Sequence, residues 1–173
     1  AENTLQYRDS PIFMDPRNKK LGARIISKLE KLHLTIKNLE LKITEPNMYF
    51  VKAHSLGIPV KGVENLKEKL FGLEANLEIL NAIDFKKGCY IGQENTARMK
   101  LKNKLRRRLM PIKVDQDLNT GDEVKFNDII IGKILINEPL PFALIKLFDP
   151  DYSDFSDKEL TINNKKAQLI NVF

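Results

Sequence analysis

The stretch after Arg108 constrains the fold most, because short apolar segments alternate there with polar turns. Residues 129–136 and 142–148 have the composition of strands, and the pairs Asn127-Asp128 and Asn163-Asn164 separate neighbouring segments. Asparagine and aspartate tolerate the left-handed backbone that tight hairpin turns require. Several short strands at this spacing predict a small antiparallel barrel or sandwich. The predicted strands are 109–114, 124–126, 129–136, 142–148, 160–162 and 167–172.

The chain before this stretch mixes strand and helix signals. Phe13 and Met14 end a predicted strand, a turn follows at 15–18, and 21–26 forms the returning strand of a hairpin. Residues 29–43 often alternate apolar and polar side chains, which predicts further strands.

Two helices are predicted downstream of the hairpin. Thr44 is a capping hydroxyl before Pro46, and apolar residues then recur at helical spacing until Gly57. A second helix is expected around Leu73, Leu77, Leu80 and Ile83, with Asn76 as its N-cap. We therefore predict an α+β unit over residues 1–104 and an all-β barrel over 105–173.

Cys89 is the single cysteine, so an internal disulfide is impossible. Two lysines precede it, Gly88 and Gly92 bracket it, and a helix-compatible run over residues 93–98 follows. Nearby ammonium groups and a helix start both favour a thiolate, which makes Cys89 a candidate nucleophile. The alternative is a buried cysteine that acts only as a small apolar side chain.

The net charge of +6 is concentrated in one acid-free block. Such a block attracts phosphates or carboxylates, or it forms a solvated face. Its bases are Arg98, Lys100, Lys102, Lys104, Arg106, Arg107 and Arg108. His33 and His54 are isolated in sequence, and we predict no metal site.

No apolar run approaches the length of a membrane helix, and the N-terminus lacks a signal-peptide pattern. We predict no membrane partner and a reducing compartment, either the bacterial cytoplasm or, in a eukaryote, the mitochondrial matrix.

The segment around Cys89 resembles the K-G-C-Y-x-G-Q-E signature of the YgfZ-type folate-binding family, which is related to the glycine-cleavage T-protein. Asp15-Pro16-Arg17 and the nearby 21–24 stretch are similar to another element of that family. The resemblance covers essentially the whole chain but not the family's first segment, so we expect a C-terminal fragment. The signature residues are Lys87, Gly88, Cys89, Tyr90, Gly92, Gln93 and Glu94, and Arg98 falls at the family's spacing.

The resemblance implies a partial T-protein-like unit before the barrel and an accessory role in iron–sulfur cluster assembly or repair. Tetrahydrofolate would be the ligand, and Cys89 the reactive thiol with transient contact to a cluster. Partners would be iron–sulfur client or assembly proteins, with an indirect link to tRNA-modifying enzymes. The residues expected to contact the cofactor are Lys86, Lys87, Arg98, Arg106, Arg107 and Arg108.

Two alternatives stay open. A folate-dependent aminomethyltransferase needs a carboxylate for the pterin, but Ala53 and Ser55 stand where the transferase pattern requires one. An RNA-binding module through Arg98–Arg108 is the second alternative, although Tyr90 is the only aromatic residue near that block in the sequence.

Overall fold

The computed structural model describes residues 4–88, 91, 93–101 and 105–172. It begins with a three-stranded antiparallel sheet, in which the central strand pairs with both neighbours. Its strands are β1 (Leu5–Tyr7), β2 (Ser10–Met14) and β3 (Ala23–Ile25). The predicted hairpin is confirmed, since β2 and β3 are its arms.

A buried carboxylate fixes the turn between β2 and β3. Asp15 accepts hydrogen bonds from the Arg17 guanidinium at 2.9 and 3.1 Å and from Arg24 Nε at 2.6 Å. Arg17 also donates to the Tyr49 hydroxyl at 2.7 Å, which ties the turn to the helix at Pro46–Ser55. The two guanidinium groups hold the pKa of Asp15 well below its usual range.

The prediction of further strands over residues 29–43 is wrong. This segment forms a 3-10 turn at Leu29–Lys31 and the helix α1, Leu32–Asn38. The Thr35 hydroxyl donates to the Lys31 carbonyl, and the alternating leucines remain largely exposed. Alternation of apolar and polar residues favours a strand when one face of that strand is buried against a core. The leucines of this segment are exposed, so the alternation does not determine its structure.

The helix predicted after residue 44 is confirmed as α2, Pro46–Ser55, but Thr44 does not cap it. The N-cap is Glu45, which makes no side-chain capping bond. At the other end, Gly57 adopts φ +75° and donates to the His54 carbonyl, while the Ile58 amide donates to the Ala53 carbonyl. This pair of bonds is a Schellman ending, which requires a residue that tolerates positive φ.

Residues 71–82 form consecutive turns instead of the second predicted helix. Asn76 and Asn81 take left-handed conformations, with φ of +61° and +57°, and each interrupts a helical turn. Asn76 is therefore an interior turn residue and not an N-cap. The segment before it, from Val60, contains only a 3-10 turn at Val63–Leu66.

Helix α3, Gln93–Leu101, precedes a closed six-stranded antiparallel barrel. The barrel is confirmed, and its strands close in the order β4-β7-β6-β5-β8-β9. A short helix, α4 (Tyr152–Phe155), lies between two of them and was not predicted. The strands are β4 (Arg107–Val114), β5 (Glu123–Phe126), β6 (Ile129–Ile136), β7 (Phe142–Lys146), β8 (Leu160–Ile162) and β9 (Lys165–Leu169).

The largest apolar cluster of the described residues lies in the barrel. Its interior holds side chains from every strand, including Ile112, Val124 and Ile134, and Phe155 of α4 packs against them. The N-terminal part has a smaller buried cluster that includes Ala53, and it exposes other apolar side chains such as Leu29 and Ile43. In the part of the chain that the structure describes, no helix has the length and hydropathy needed to cross a bilayer.

Candidate functional site

An open cleft of about 1020 Å³ lies where α3, the turns at 71–76 and the barrel meet. Arg98 of α3 lines it, together with Arg106 just before β4 and Arg107 at the start of β4. The barrel adds Lys146 from the end of β7 and Phe148 just beyond, and the turns add Phe71. The cleft thus combines four cations with two phenylalanine rings.

Glu74 organises one wall of the cleft. Only 3% of this residue is exposed. Its carboxylate accepts two hydrogen bonds from Arg107, at 2.9 and 3.1 Å, and one from the Phe71 amide at 2.9 Å. One buried acid therefore positions a cation and fixes the backbone of an aromatic residue on the same wall.

The same turn segment is joined to β4 by backbone contacts. The Leu109 amide donates to the Glu74 carbonyl at 2.8 Å, and the Asn76 side-chain amide donates to the Leu109 carbonyl at 2.7 Å. Asn76 reaches this carbonyl because its own backbone takes the left-handed conformation. The turns at 71–76 are thereby held against the first residues of the barrel.

Acids from other parts of the chain pair with the basic block. Arg98 pairs with Glu94 one helical turn away at 2.9 Å, Lys100 pairs with Glu78 at 2.5 Å, and Arg107 pairs with Glu74. The block is free of acids in sequence but not in space, so its effective positive charge is smaller than the sequence indicates. Within the described ranges, Arg106 lines the cleft without an ion pair.

The structure brings together three of the six predicted cofactor contacts, namely Arg98, Arg106 and Arg107. Arg108 instead borders a smaller pocket with Asn76 and Lys100, and burial lowers the pKa of its guanidinium. Lys86 and Lys87 are exposed and do not line the cleft.

The signature segment is described only in part. Cys89, Tyr90 and Gly92 lie outside the described residues, as do Lys102 and Lys104 of the basic block. Gly88 and Ile91 are exposed, and Gln93 and Glu94 begin α3. The prediction that a thiolate stands near the start of this helix stays a prediction.

Sequence reasoning missed several residues of the cleft. Phe71, Phe148 and Lys146 belong to separate segments, and no local pattern connects them with the basic block. Glu74 had one usable signal, because an acid inside an apolar stretch needs a cationic partner once it is buried. That partner, Arg107, lies 33 residues away in sequence.

Backbone groups occupy both ring nitrogens of His54. His54 is fully buried, its Nδ1 lies 2.8 Å from the Leu140 carbonyl, and its Nε2 accepts the amides of Val60 and Lys61 at 3.3 Å. Nε2 accepts, so Nδ1 carries the proton and the ring is neutral. Among the described residues there is also no group of three acidic, histidine or cysteine side chains that could hold a metal ion.

The aminomethyltransferase pattern requires a carboxylate for the pterin, but its two candidate positions hold Ala53 and Ser55 here. Ala53 is a fully buried residue of α2, and the Ser55 hydroxyl donates to the Lys52 carbonyl at 2.8 Å. Neither side chain offers a charged acceptor to a ligand.

Fold and cleft together define a protein with a closed barrel, a mixed N-terminal unit and a basic cleft lined by two phenylalanine rings. No protein-family model matches the chain. It is similar to the mitochondrial iron–sulfur cluster assembly factor IBA57 homolog of Pyricularia oryzae, with 34% identity over 97 residues. This alignment covers 56% of the chain and 24% of that relative.

Two further relatives carry the same description. The homolog of Dictyostelium discoideum is 32% identical over 109 residues, which is 62% of this chain and 27% of the relative. The human mitochondrial assembly factor IBA57 is 33% identical over 111 residues, which is 64% of this chain and 30% of the relative. The aligned part thus spans about a quarter of the curated relatives' length. Their mitochondrial names agree with the matrix location predicted for a eukaryotic protein, and not with a cytoplasmic one.

Proposed function

We propose that this chain serves as an accessory factor in the assembly or repair of iron–sulfur clusters, in the mitochondrial matrix if the source is eukaryotic. The observation that carries the proposal is its similarity to assembly factors from a fungus, an amoeba and a mammal. The partners of this chain would be iron–sulfur client or assembly proteins.

Cys89 is the proposed reactive group. One thiolate supplies only one ligand where a cluster commonly takes four, so Cys89 would share a cluster with a partner protein for a short time. It could also attack a partner's disulfide, which forms one mixed S–S bond and releases the partner's second sulfur as a thiolate. The exposed lysines Lys86 and Lys87 support this role, because positive charge favours the thiolate.

Tetrahydrofolate is the proposed ligand of the cleft. A flat pterin ring suits the exposed faces of Phe71 and Phe148, and the anionic glutamate tail suits the guanidinium groups of Arg98 and Arg106. The cleft offers both chemistries, which supports this assignment.

The first experiment measures how fast Cys89 reacts with iodoacetamide between pH 5 and 10. The ordinary pKa of a cysteine thiol is about 8.5, and nearby positive charge lowers it. We therefore expect the alkylation rate of Cys89 to reach half its maximum well below that pH. Cys89→Ser supplies the background rate. A midpoint at or above the ordinary value would remove the activated thiol from the proposal.

The second experiment titrates the protein with mono- and polyglutamylated tetrahydrofolate. Arg106→Ala should weaken binding of the polyglutamylated form more than binding of the monoglutamate, because the longer tail has more carboxylates for the guanidinium to attract. Lys113→Ala, an exposed barrel residue, is the control of equal charge change. Equal losses for both folates would assign Arg106 to the fold or to solubility.

The third experiment tests the cellular role. The full reading frame is expressed in cells that lack their own related assembly factor, and the activities of iron–sulfur enzymes are measured. We expect restored activity with the wild-type protein and little with Cys89→Ser. Unchanged enzyme deficiency with well-expressed wild-type protein would contradict the proposed function.

A further inference from the structure

Two exposed phenylalanines face the same cleft. Phe71 is 55% exposed and Phe148 is 53% exposed. The other phenylalanines among the described residues are buried or half-buried. Single exposed apolar residues need no explanation, but two aromatic rings gathered at one basic cleft indicate a partner with flat, stackable groups.

The two rings belong to different segments of the chain, and the cleft between these segments is large enough for more than one stacking group. Phe71 belongs to the turns that Glu74 and Asn76 hold against β4, and Phe148 follows β7 of the barrel. The volume of about 1020 Å³ lies at the upper end of small-ligand sites, which range over about 300–1000 Å³.

Cations line the same cleft as the rings. Lys146 donates to the Ile130 carbonyl at 3.0 Å, which restrains its ammonium group, while Arg98 and Arg106 approach from α3 and from the start of the barrel. Glu74 and Asp149 are the acids that line the cleft, and Arg107 already neutralises Glu74. The cleft as a whole is cationic.

We propose that this cleft binds a short single-stranded segment of nucleic acid. Successive bases stack on Phe71 and Phe148, and backbone phosphates contact Arg98, Arg106 and Lys146. Aromatic side chains that stack bases, combined with cations that follow the backbone, are the general chemistry of single-strand recognition. Two separate rings in one cleft suit successive bases of a strand.

The proposal does not depend on the role in iron–sulfur cluster assembly, although the folate proposed above would occupy the same cleft. The two are separable by experiment, because folate titration and cluster-enzyme activity are measured without any oligonucleotide. Failure of oligonucleotide binding would leave both of those results unchanged.

The test is fluorescence anisotropy with labelled eight-nucleotide oligouridylate and oligothymidylate, at 50 and 200 mM salt. We expect binding to both or to the RNA alone, and the comparison identifies whether the ribose is read. Phe148→Ala should weaken binding about 5- to 150-fold, as loss of one stacked base predicts. Phe148→Tyr should retain binding, and Ile129→Ala, a similarly exposed barrel residue, should have no effect.

A second variant covers the phosphate contacts. Arg106→Ala should weaken binding of every sequence and reduce the slope of log affinity against log salt by about 0.7, the value for one phosphate of a single strand. Absence of binding at 50 mM salt would overturn the proposal. So would wild-type affinity in both Phe148→Ala and Arg106→Ala.

Discussion

Replacement of Glu74 by alanine tests whether the cleft wall is held by one buried acid. The carboxylate accepts three hydrogen bonds, two from a guanidinium and one from the Phe71 amide. A hydrogen bond that involves a charged group contributes about 1.5–3 kcal/mol, and removal of one partner of a fully buried ion pair costs about 3–5 kcal/mol. The Arg107 side chain is 42% exposed, so it regains water when its partner is lost.

This recovery lowers the expected cost to about 2–3 kcal/mol of unfolding free energy. For a chain of this size, that corresponds to a fall in Tm of about 4–12 °C. Urea denaturation followed by far-UV circular dichroism measures the free energy directly. Glu74→Gln keeps an acceptor without the charge, and we expect an intermediate loss.

Glu94→Ala is the matched control. It removes the same charge and also breaks an arginine ion pair, but that pair is exposed on α3. An exposed pair of this spacing and a favourable acid in the first helical turn together contribute about 0.6–1.5 kcal/mol. Equal losses in Glu74→Ala and Glu94→Ala would refute the reasoning, because burial of Glu74 would then have no energetic consequence.

Three further measurements follow from the packing. Burial lowers the pKa of His54, so the unfolded chain binds a proton at a higher pH than the folded chain does. The unfolding free energy should therefore be constant above about pH 6.5 and fall below it. In urea titrations, His54→Gln should flatten this dependence. Gly132→Ala would place a Cβ 2.7 Å from the Leu144 carbonyl oxygen, and we expect a Tm several degrees lower by calorimetry. Asn76→Ala removes a buried donor from the Leu109 carbonyl, and its cost by urea denaturation should be about 1–3 kcal/mol.

The barrel was predictable because its signals are local. Each hairpin turn that the sequence marks with paired asparagine or aspartate residues has positive φ at both positions, as at Asn127-Asp128 and Asn163-Asn164. The predicted strand 129–136 coincides with β6. Apolar alternation and turn chemistry agree along this part of the chain, so pattern and fold coincide.

The turns at 71–82 could not be predicted from spacing, because long-range contacts decide them. Leucines at helical intervals favour a helix, yet Asn76 leaves the helical conformation, and its side chain reaches the Leu109 carbonyl. Tertiary contacts override local propensity there. The cleft has the same origin, since Phe71 and Phe148 line one cleft only when the turns are held against the barrel.

Arg106 and Arg107 show why a charged block in sequence is not a uniform surface in space. They are adjacent, yet Arg107 is bound to a buried acid, whereas Arg106 lines the cleft without an ion pair among the described residues. Loss of Arg107 should therefore lower stability by leaving Glu74 buried without its cation, and loss of Arg106 should lower ligand affinity at unchanged stability. Neutralising both together would merge a defect of folding with a defect of binding. The single variants separate the two, and they show which part of the positive charge acts on a ligand.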